Sequence, residues 1–373
     1  MADHVADFEW RGEGEEAEVA VYAPDAATAE RALERTLPAA RLPGIIRPVE
    51  AASSQEGFGR VTVSETHASP DLFAAPRYGL LIVAEVPVAN LGTPGELPRL
   101  LARRLSEVSL PEVGESGVRE LSESGAGWAA GEGFIEEDDL SFFLPGSAAR
   151  TGDPDSLGRR ALAAGARDWT RPGRIGIFGV GEILDSDAAG EAGLEEGVLA
   201  LVVDVGAEDL GRLALAGHRE RIVARTVRGD FGSPEGLPTA PADTEEAADL
   251  RSASGGAAGY AAGRAALVLY ALRRSLRDLT PLRLRAAWPG GGLEGEEGGR
   301  HLHRDGLAAV GEGGIFVSGL RVAAGGGRMF GSAPPFGTSE QEGRWPWEEA
   351  GLCVGVSVLE PLGGRSEVRP WTS

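Results

Sequence analysis

Two of the chain's five histidines stand one residue apart, in HLHRDGLAAV at 301–310. Residues two apart on a β-strand point to the same face. His301 and His303 are therefore placed to offer two imidazoles to one metal ion. A protein metal site of this type takes three or four ligands. No second cluster of His, Cys or Asp accompanies the pair, so the stretch reads first as strand rather than as a metal clip. Other chemistry is sparse. Cys353 is the one cysteine. It sits in an apolar, strand-like run, where a thiol is inert. GIFGVGE at 176–182 has glycine spacing faintly like a dinucleotide loop. No helix follows it and no acidic partner is placed, so it reads as a turn beside a strand. IEEDDL at 135–140 carries carboxylates of the kind a hard cation takes. It reads as a solvated helix start, where acids complement the helix dipole. No G-x-S-x-G, H-E-x-x-H or C-x-x-C occurs.

The elements that would position these residues alternate between strand and helix. EVAVYA (18–23), GRVTVSE, GLLIVAEVPV and the apolar GVLALVVDV (197–205) read as strands. The last is an apolar run broken only by Asp204, as expected of a strand buried on both faces. DAATAERALERTL (25–37) and PGELPRLLARRLSEV (94–108) carry apolar residues at helical spacing. The longest helical signal runs from Thr244 to Ser275 and opens with a cap residue and two glutamates. Its Gly/Ala-rich middle means close helix packing, or two helices meeting at Gly255–Gly256. Further strands are expected at 282–287, 315–322 and 353–359, and loops at 226–243, 288–300 and 323–349. This mixture defines an α/β or α+β class.

Composition narrows the functional classes. The net charge of −21 opposes broad nucleic-acid binding, because it repels a polyanion. The chain contains no lysine, so all 36 basic residues are arginine. A single cysteine forms no internal disulfide, and a cytoplasmic location is expected. The acidic MADHVADFEW opening lacks the apolar core of a signal peptide. The best apolar run carries Glu85 and is too short to span a bilayer, so no membrane role is expected. At 373 residues, one large domain or two ordinary ones are both open.

Several segments, in order, resemble the RtcB family of RNA ligases. LPGIIRP (42–48) is similar to that family's L-P-G-(I/V)-V, and AGWAAGEGFIEEDDL follows in place. ILDSDAAGEAGLEEGVLALVVDVGAEDLG (183–211) resembles the stretch ending I-H-T-G-S-R-G-L-G. APADTEEAADL, AAGYAAGR, LHRDGLAA and EEAGLCVGVSVLEPLG resemble A-P-I-D-S-E-E-G, A-A-N-F-A-x-A-N-R, V-H-R-K-G-A-T-R and E-E-A-G-L-x-x-x-V-x-x-L-R-P-L-G. The resemblance covers about residues 20–363. It implies one RtcB-like domain over 1–373, with packed central β-sheets surrounded by helices and a shortened C-terminal part.

The family uses manganese and GTP, and a histidine carries a covalent guanylate. The resemblance aligns Ser53 and Gln55 with the family's aspartate and histidine in P-D-x-H. It aligns Ala75 and Tyr78 with the metal aspartate and cysteine, Asp204 with the histidine of I-H-T-G-S-R-G, and Glu208 with its arginine. Trp288 stands at the histidine of D-V-A-H-N and Pro335 at the guanylated histidine. His303, Arg304 and Gly306 keep the family's H-R-x-G, with Asp305 in place of lysine. The remnants His303, Arg304 and Asp204 are thus the family-position candidates, and no metal site or bound cofactor is expected. The reading that follows is a catalytically degenerate RtcB-like protein with a residual RNA-end, nucleotide or protein-partner binding role. The alternative is an active ligase in which Asp204, His301 and His303 converge on a rearranged metal site. A third possibility makes Arg304 a phosphate contact. Tyr78 and Trp288 are expected to fill the former metal cleft with rings.

Overall fold

A computed structural model describes residues 3–11, 16–23, 45–52, 58–87, 104, 111–143, 152–169, 177–183, 198–232, 236–295, 299–305, 310–311, 314–317, 321–323 and 327–333. The expected helices at 25–37 and 94–108 (Arg104 apart), the strand at 353–359, and Ser53, Gln55, Pro335 and Cys353 lie outside the described residues.

The strands are β1 (Asp3–Arg11), β2 (Glu16–Ala23), β3 (Ile45–Ala52), β4 (Phe58–Ser64), β5 (His67–Ala68), β6 (Arg77–Pro87), β7 (Ile177–Ile183) and β8 (Val198–Gly206). They continue as β9 (Ala240–Pro241), β10 (Leu282–Gly295), β11 (His301–Asp305), β12 (Val310–Gly311), β13 (Gly314–Val317), β14 (Arg321–Ala323) and β15 (Gly327–Ala333). The helices are α1 (Glu115–Ser124), α2 (Ala126–Gly131), α3 (Arg159–Trp169), α4 (Glu208–Val227) and α5 (Glu245–Leu276). Short 3-10 turns cover Glu137–Ser141 and Pro154–Leu157. The chain is thus of mixed α/β class.

One ten-stranded sheet, in the order β1-β2-β3-β4-β11-β10-β6-β8-β7-β15, is the platform. Its pairings are antiparallel except β2 with β3. Alternation along β6 sends Tyr78, Leu80, Ile82 and Ala84 into one core with Leu201, Val205, Leu282, Leu284 and Ala287. Helix α5 lies against this face and contributes Tyr260, Leu267, Leu269 and Leu272 to the same core.

The α5 sequence sets both its ends and its packing. Thr244 caps it, accepting from the Ala247 N–H at 3.4 Å, and Glu245 and Glu246 occupy its first turn. Arg273 and Arg274 complement the dipole in the last. The Gly/Ala-rich stretch is one continuous helix rather than two. A Cβ on Gly259 would lie 2.5 Å from the Ser122 carbonyl, and one on Gly263 would lie 2.2 Å from Leu121 Cδ2. Glycine is therefore what lets α1 rest directly on α5.

Four sequence expectations are corrected. GIFGVGE is strand β7, hydrogen-bonded to β8 on one side and β15 on the other, rather than a turn. The expected loop at 288–300 is largely the second half of β10. Pro289 is tolerated there because the register shifts between Pro289 and Gly291. An irregularity removes the need for the donor that proline lacks. The expected strand at 315–322 is the hairpin β13–β14, and β15 lies within the expected loop 323–349. For β7 and the second half of β10, pairing on both sides outweighs the poor strand propensity of glycine.

IEEDDL is a helix start, though it is not wholly solvated. Asp139 Oδ2 accepts from the Glu136 N–H at 3.0 Å and closes the turn. The same buried carboxylate binds Arg273 of α5 through two contacts, at 2.5 and 2.9 Å. Arg273 Nε also donates to the Leu282 carbonyl, tying helix, turn and β10 together.

Candidate functional site

Strand β11 runs between β4 and β10, with His301 opposite Ser64 and Gly295, and His303 opposite Thr62 and Leu293. Both histidines are fully buried. Their ring centroids are 6.5 Å apart, as expected for neighbours on one face. Their surroundings differ. Nε2 of His303 accepts the Ser69 N–H at 3.1 Å, and Nδ1 lies 3.4 Å from the Thr62 carbonyl, to which it donates in the matching tautomer. Phe73 packs at 6.1 Å. Both ring nitrogens of His303 are therefore engaged within the fold. His301 faces Arg251 of α5, whose Nη1 is 3.2 Å from each ring nitrogen. Burial, the Arg251 charge and nearby His67 push the His301 pKa down to about 4.

Arg304 is 1 % exposed, and its Nε donates to Glu294 on β10 at 3.1 Å. Its backbone carbonyl accepts from Ala74. A guanidinium so placed is an internal cation paired across two strands. In this conformation it offers no surface contact to a phosphate.

The positions aligned with RtcB metal ligands do come together along the sheet. In register, Trp288 of β10 lies opposite Gly79 of β6, and Gly79 lies opposite Asp204 of β8. Tyr78 occupies the next row, between Pro289 and Val205. Ala75 is close by: a Cβ on Gly291 would lie 2.6 Å from its carbonyl oxygen. The residue types at this convergence are not the donors of a two-metal centre. Ala75 carries no donor. Tyr78 is 1 % exposed and belongs to the hydrophobic core, with Phe143 at 6.2 Å. The resemblance aligns Tyr78 with the family's metal cysteine, and here its ring is packed into the core. The Asp204 and Trp288 side chains lie outside the described residues.

Asp204 does not share a centre with the two histidines. Strands β6 and β10 intervene between β8 and β11. Three strand spacings amount to roughly 14 Å along the sheet, against about 2–2.6 Å for ligands of one metal. Among the described residues, no group of three or more His, Cys, Asp or Glu side chains is placed to hold a metal ion.

At the end of β8, Arg264 of α5 donates to the Gly206 carbonyl at 2.7 Å. It also lies 5.4 Å from the Tyr260 ring centroid and 6.0 Å from that of Trp169. Burial pushes the Tyr260 phenol up to about 12, and its hydroxyl donates to the Gly165 carbonyl. Glu208 starts α4 with a φ of +45°, uncommon for a residue with a side chain. Its carboxylate lies 4.0 Å from Arg77, so the position aligned with the family's arginine carries the opposite charge.

Sequence motifs missed His67 and Arg251. Neither belongs to a motif, and only the β5–β9 pairing and the seating of α5 bring them near His301.

Fold and site together define a mixed α/β protein built on a largely antiparallel sheet, with RtcB-aligned positions meeting across β10, β6 and β8. The chain is similar to the tRNA-splicing ligase RtcB of Pyrococcus furiosus, with 29% identity over 162 residues, 42% of this chain and 16% of the relative. It is 28% identical to the tRNA-splicing ligase RtcB of Pyrococcus abyssi over 162 residues, 42% of this chain and 18% of that relative. An RtcB-like relationship is thus shown, and this chain spans less than a fifth of the length of either relative. No protein-family model matches the chain. Among the described residues, no helix is long and apolar enough to cross a membrane.

Proposed function

We propose that this chain is a catalytically degenerate RtcB-like protein, acting in the cytoplasm, that has lost guanylate transfer. The role left to such a scaffold is binding, of an RNA end, a nucleotide or a protein partner. One observation carries the reading. The RtcB-aligned positions Tyr78, Asp204 and Trp288 sit on adjoining strands with Ala75 just before β6, yet the four supply one carboxylate between them. The two-manganese centre of the family that the chain resembles draws on Asp, Cys and His together, and a single carboxylate does not replace that set. The aligned nucleophile position holds Pro335, which has no side-chain nitrogen to carry a guanylate. His303 cannot substitute, because both its ring nitrogens are taken within the fold. The net charge of −21 favours a local contact with an RNA end or a protein over broad nucleic-acid binding.

The test is covalent labelling. Purified chain is incubated with radiolabelled GTP and manganese, then denatured and separated. The expected result is no label on the protein. A band that survives denaturation overturns the reading.

A further inference from the structure

Arg251 has no countercharge among the described residues of a strongly acidic protein. It makes no ion pair with any described carboxylate, although many other arginines of the chain do. Its one described polar contact is the His301 ring, with Nη1 at 3.2 Å from both nitrogens. A neutral imidazole has a single lone pair and accepts one N–H, whereas a guanidinium has five in a fixed fork.

The setting is built for this placement. Arg251 belongs to the rigid helix α5, and its stem crosses β10 at Gly295, where a Cβ would lie 3.9 Å from Arg251 Cδ. Gly295 is opposite His301, so the missing side chain opens the way to β11. His301 is fully buried behind the fork and fixes its orientation. His67 flanks from β5, close enough to disfavour a charge on His301, with Thr66 Oγ1 at 2.8 Å from its Nδ1. Bordering charges are Arg300, which directly precedes His301, and the exposed Glu65, which follows Ser64 on β4.

We propose that Arg251, seated on His301 and flanked by His67, binds a phosphate monoester group. A planar fork whose other N–H donors have no partner among the described residues matches a phosphate dianion, and charge-assisted contacts of this kind are strong. The site lies on α5 and β11, the strand that also carries the aligned His303 and Arg304, and it stands whether or not the chain carries guanylate.

Inorganic phosphate is the probe. The full chain is titrated with phosphate at constant ionic strength against chloride, following the His67 and His301 ring resonances. The expected result is a saturable shift of both. Arg251→Gln should weaken the apparent affinity by about tenfold or more, the value of a charge-assisted hydrogen bond. Arg251→Lys, which keeps the charge and loses the fork, should fall between. Exposed Arg159, on α3, serves as the control, and Arg159→Gln should bind as the parent does. No saturable shift, or equal affinity in folded Arg251→Gln and Arg251→Lys, overturns the proposal. A nucleoside monophosphate and a short 3′-phosphorylated RNA are then compared with phosphate. Tighter binding of either supports the site and identifies its source, as does equal binding of all three, which marks free phosphate. The guanylation result is read separately, so failure here leaves it untouched.

Discussion

Two described histidines, His218 and His301, make a contribution to stability that depends on acid. His218 on α4 lies 2.9 Å from the Ser156 carbonyl through Nε2 and 2.5 Å from Arg221 through Nδ1. Burial lowers its pKa, with the Arg221 charge adding to the effect. His301 is pushed down to about 4 by burial first and Arg251 second. In both, the folded state holds its proton more weakly than the unfolded chain, where histidine titrates near 6.5. Where the unfolded state binds more protons, stability rises with pH. Stability is therefore full above about 6.5 and is lost as pH falls toward 4. Urea midpoints measured across that window should decline, and His301→Asn should flatten the decline. A flat profile in the parent contradicts the neutral, buried placement.

The Asp139–Arg273 pair is a second single-residue test. Removing one partner leaves a charge poorly compensated in a largely buried setting, which costs about 3 kcal/mol. The Arg273 side chain is 25% exposed, which softens its half of the loss. Asp139→Ala should lower the urea midpoint markedly, and the double variant Asp139→Ala, Arg273→Met should recover part of it.

At the scale of elements, the glycines of α5 set up a contest of known sign. Alanine is a better helix former than glycine by about 1 kcal/mol. At position 259, however, its methyl would approach the Ser122 carbonyl to 2.5 Å. Overpacking of a tight core costs about 1–3 kcal/mol. Gly259→Ala should therefore lower the melting temperature, whereas Gly217→Ala on α4, with nothing within 4 Å, should not. Equal effects would place the α1–α5 contact elsewhere.

Helix α5 and strands β4, β6 and β8 were legible in the sequence because capping and apolar runs act locally. Strand β7 and the second half of β10 were not. Their glycines and Pro289 argue against strand, and only partners on both sides hold them. The site divided in the same way. The H-x-H pair announced a strand, while the ring partners Ser69, Thr62 and Arg251 come from remote segments that no spacing rule connects.

For the molecule as a whole, the RtcB likeness covers 42% of this chain and less than a fifth of each relative. Ancestry is therefore legible where chemistry is not. On the reading proposed above, the H-R pair and the apolar strands keep the family's places, while the aligned chemical positions have changed type. A scaffold of this kind is tested by adding back donors. Ala75→Asp with Tyr78→Cys should not create manganese binding, because His303 and Asp204 stand on strands separated by two others. Manganese titration followed by electron paramagnetic resonance checks this, and stoichiometric uptake would mean that the remaining ligands are present.

Strand β11 joins β4 to β10, and so stitches the first strands of the chain to the rest of the sheet. Thr62 and His303, paired across that seam, are 241 positions apart. At about 5–20 residues per second, a ribosome needs roughly 12–50 seconds to make the intervening stretch. Throughout that interval the β4 edge has been synthesised and its neighbour has not. Unpaired edges are templates for foreign strands. The hazard of this molecule thus lies in its birth: nascent chains halted before residue 301 should recruit chaperones or aggregate, and release of His301–Asp305 should end both.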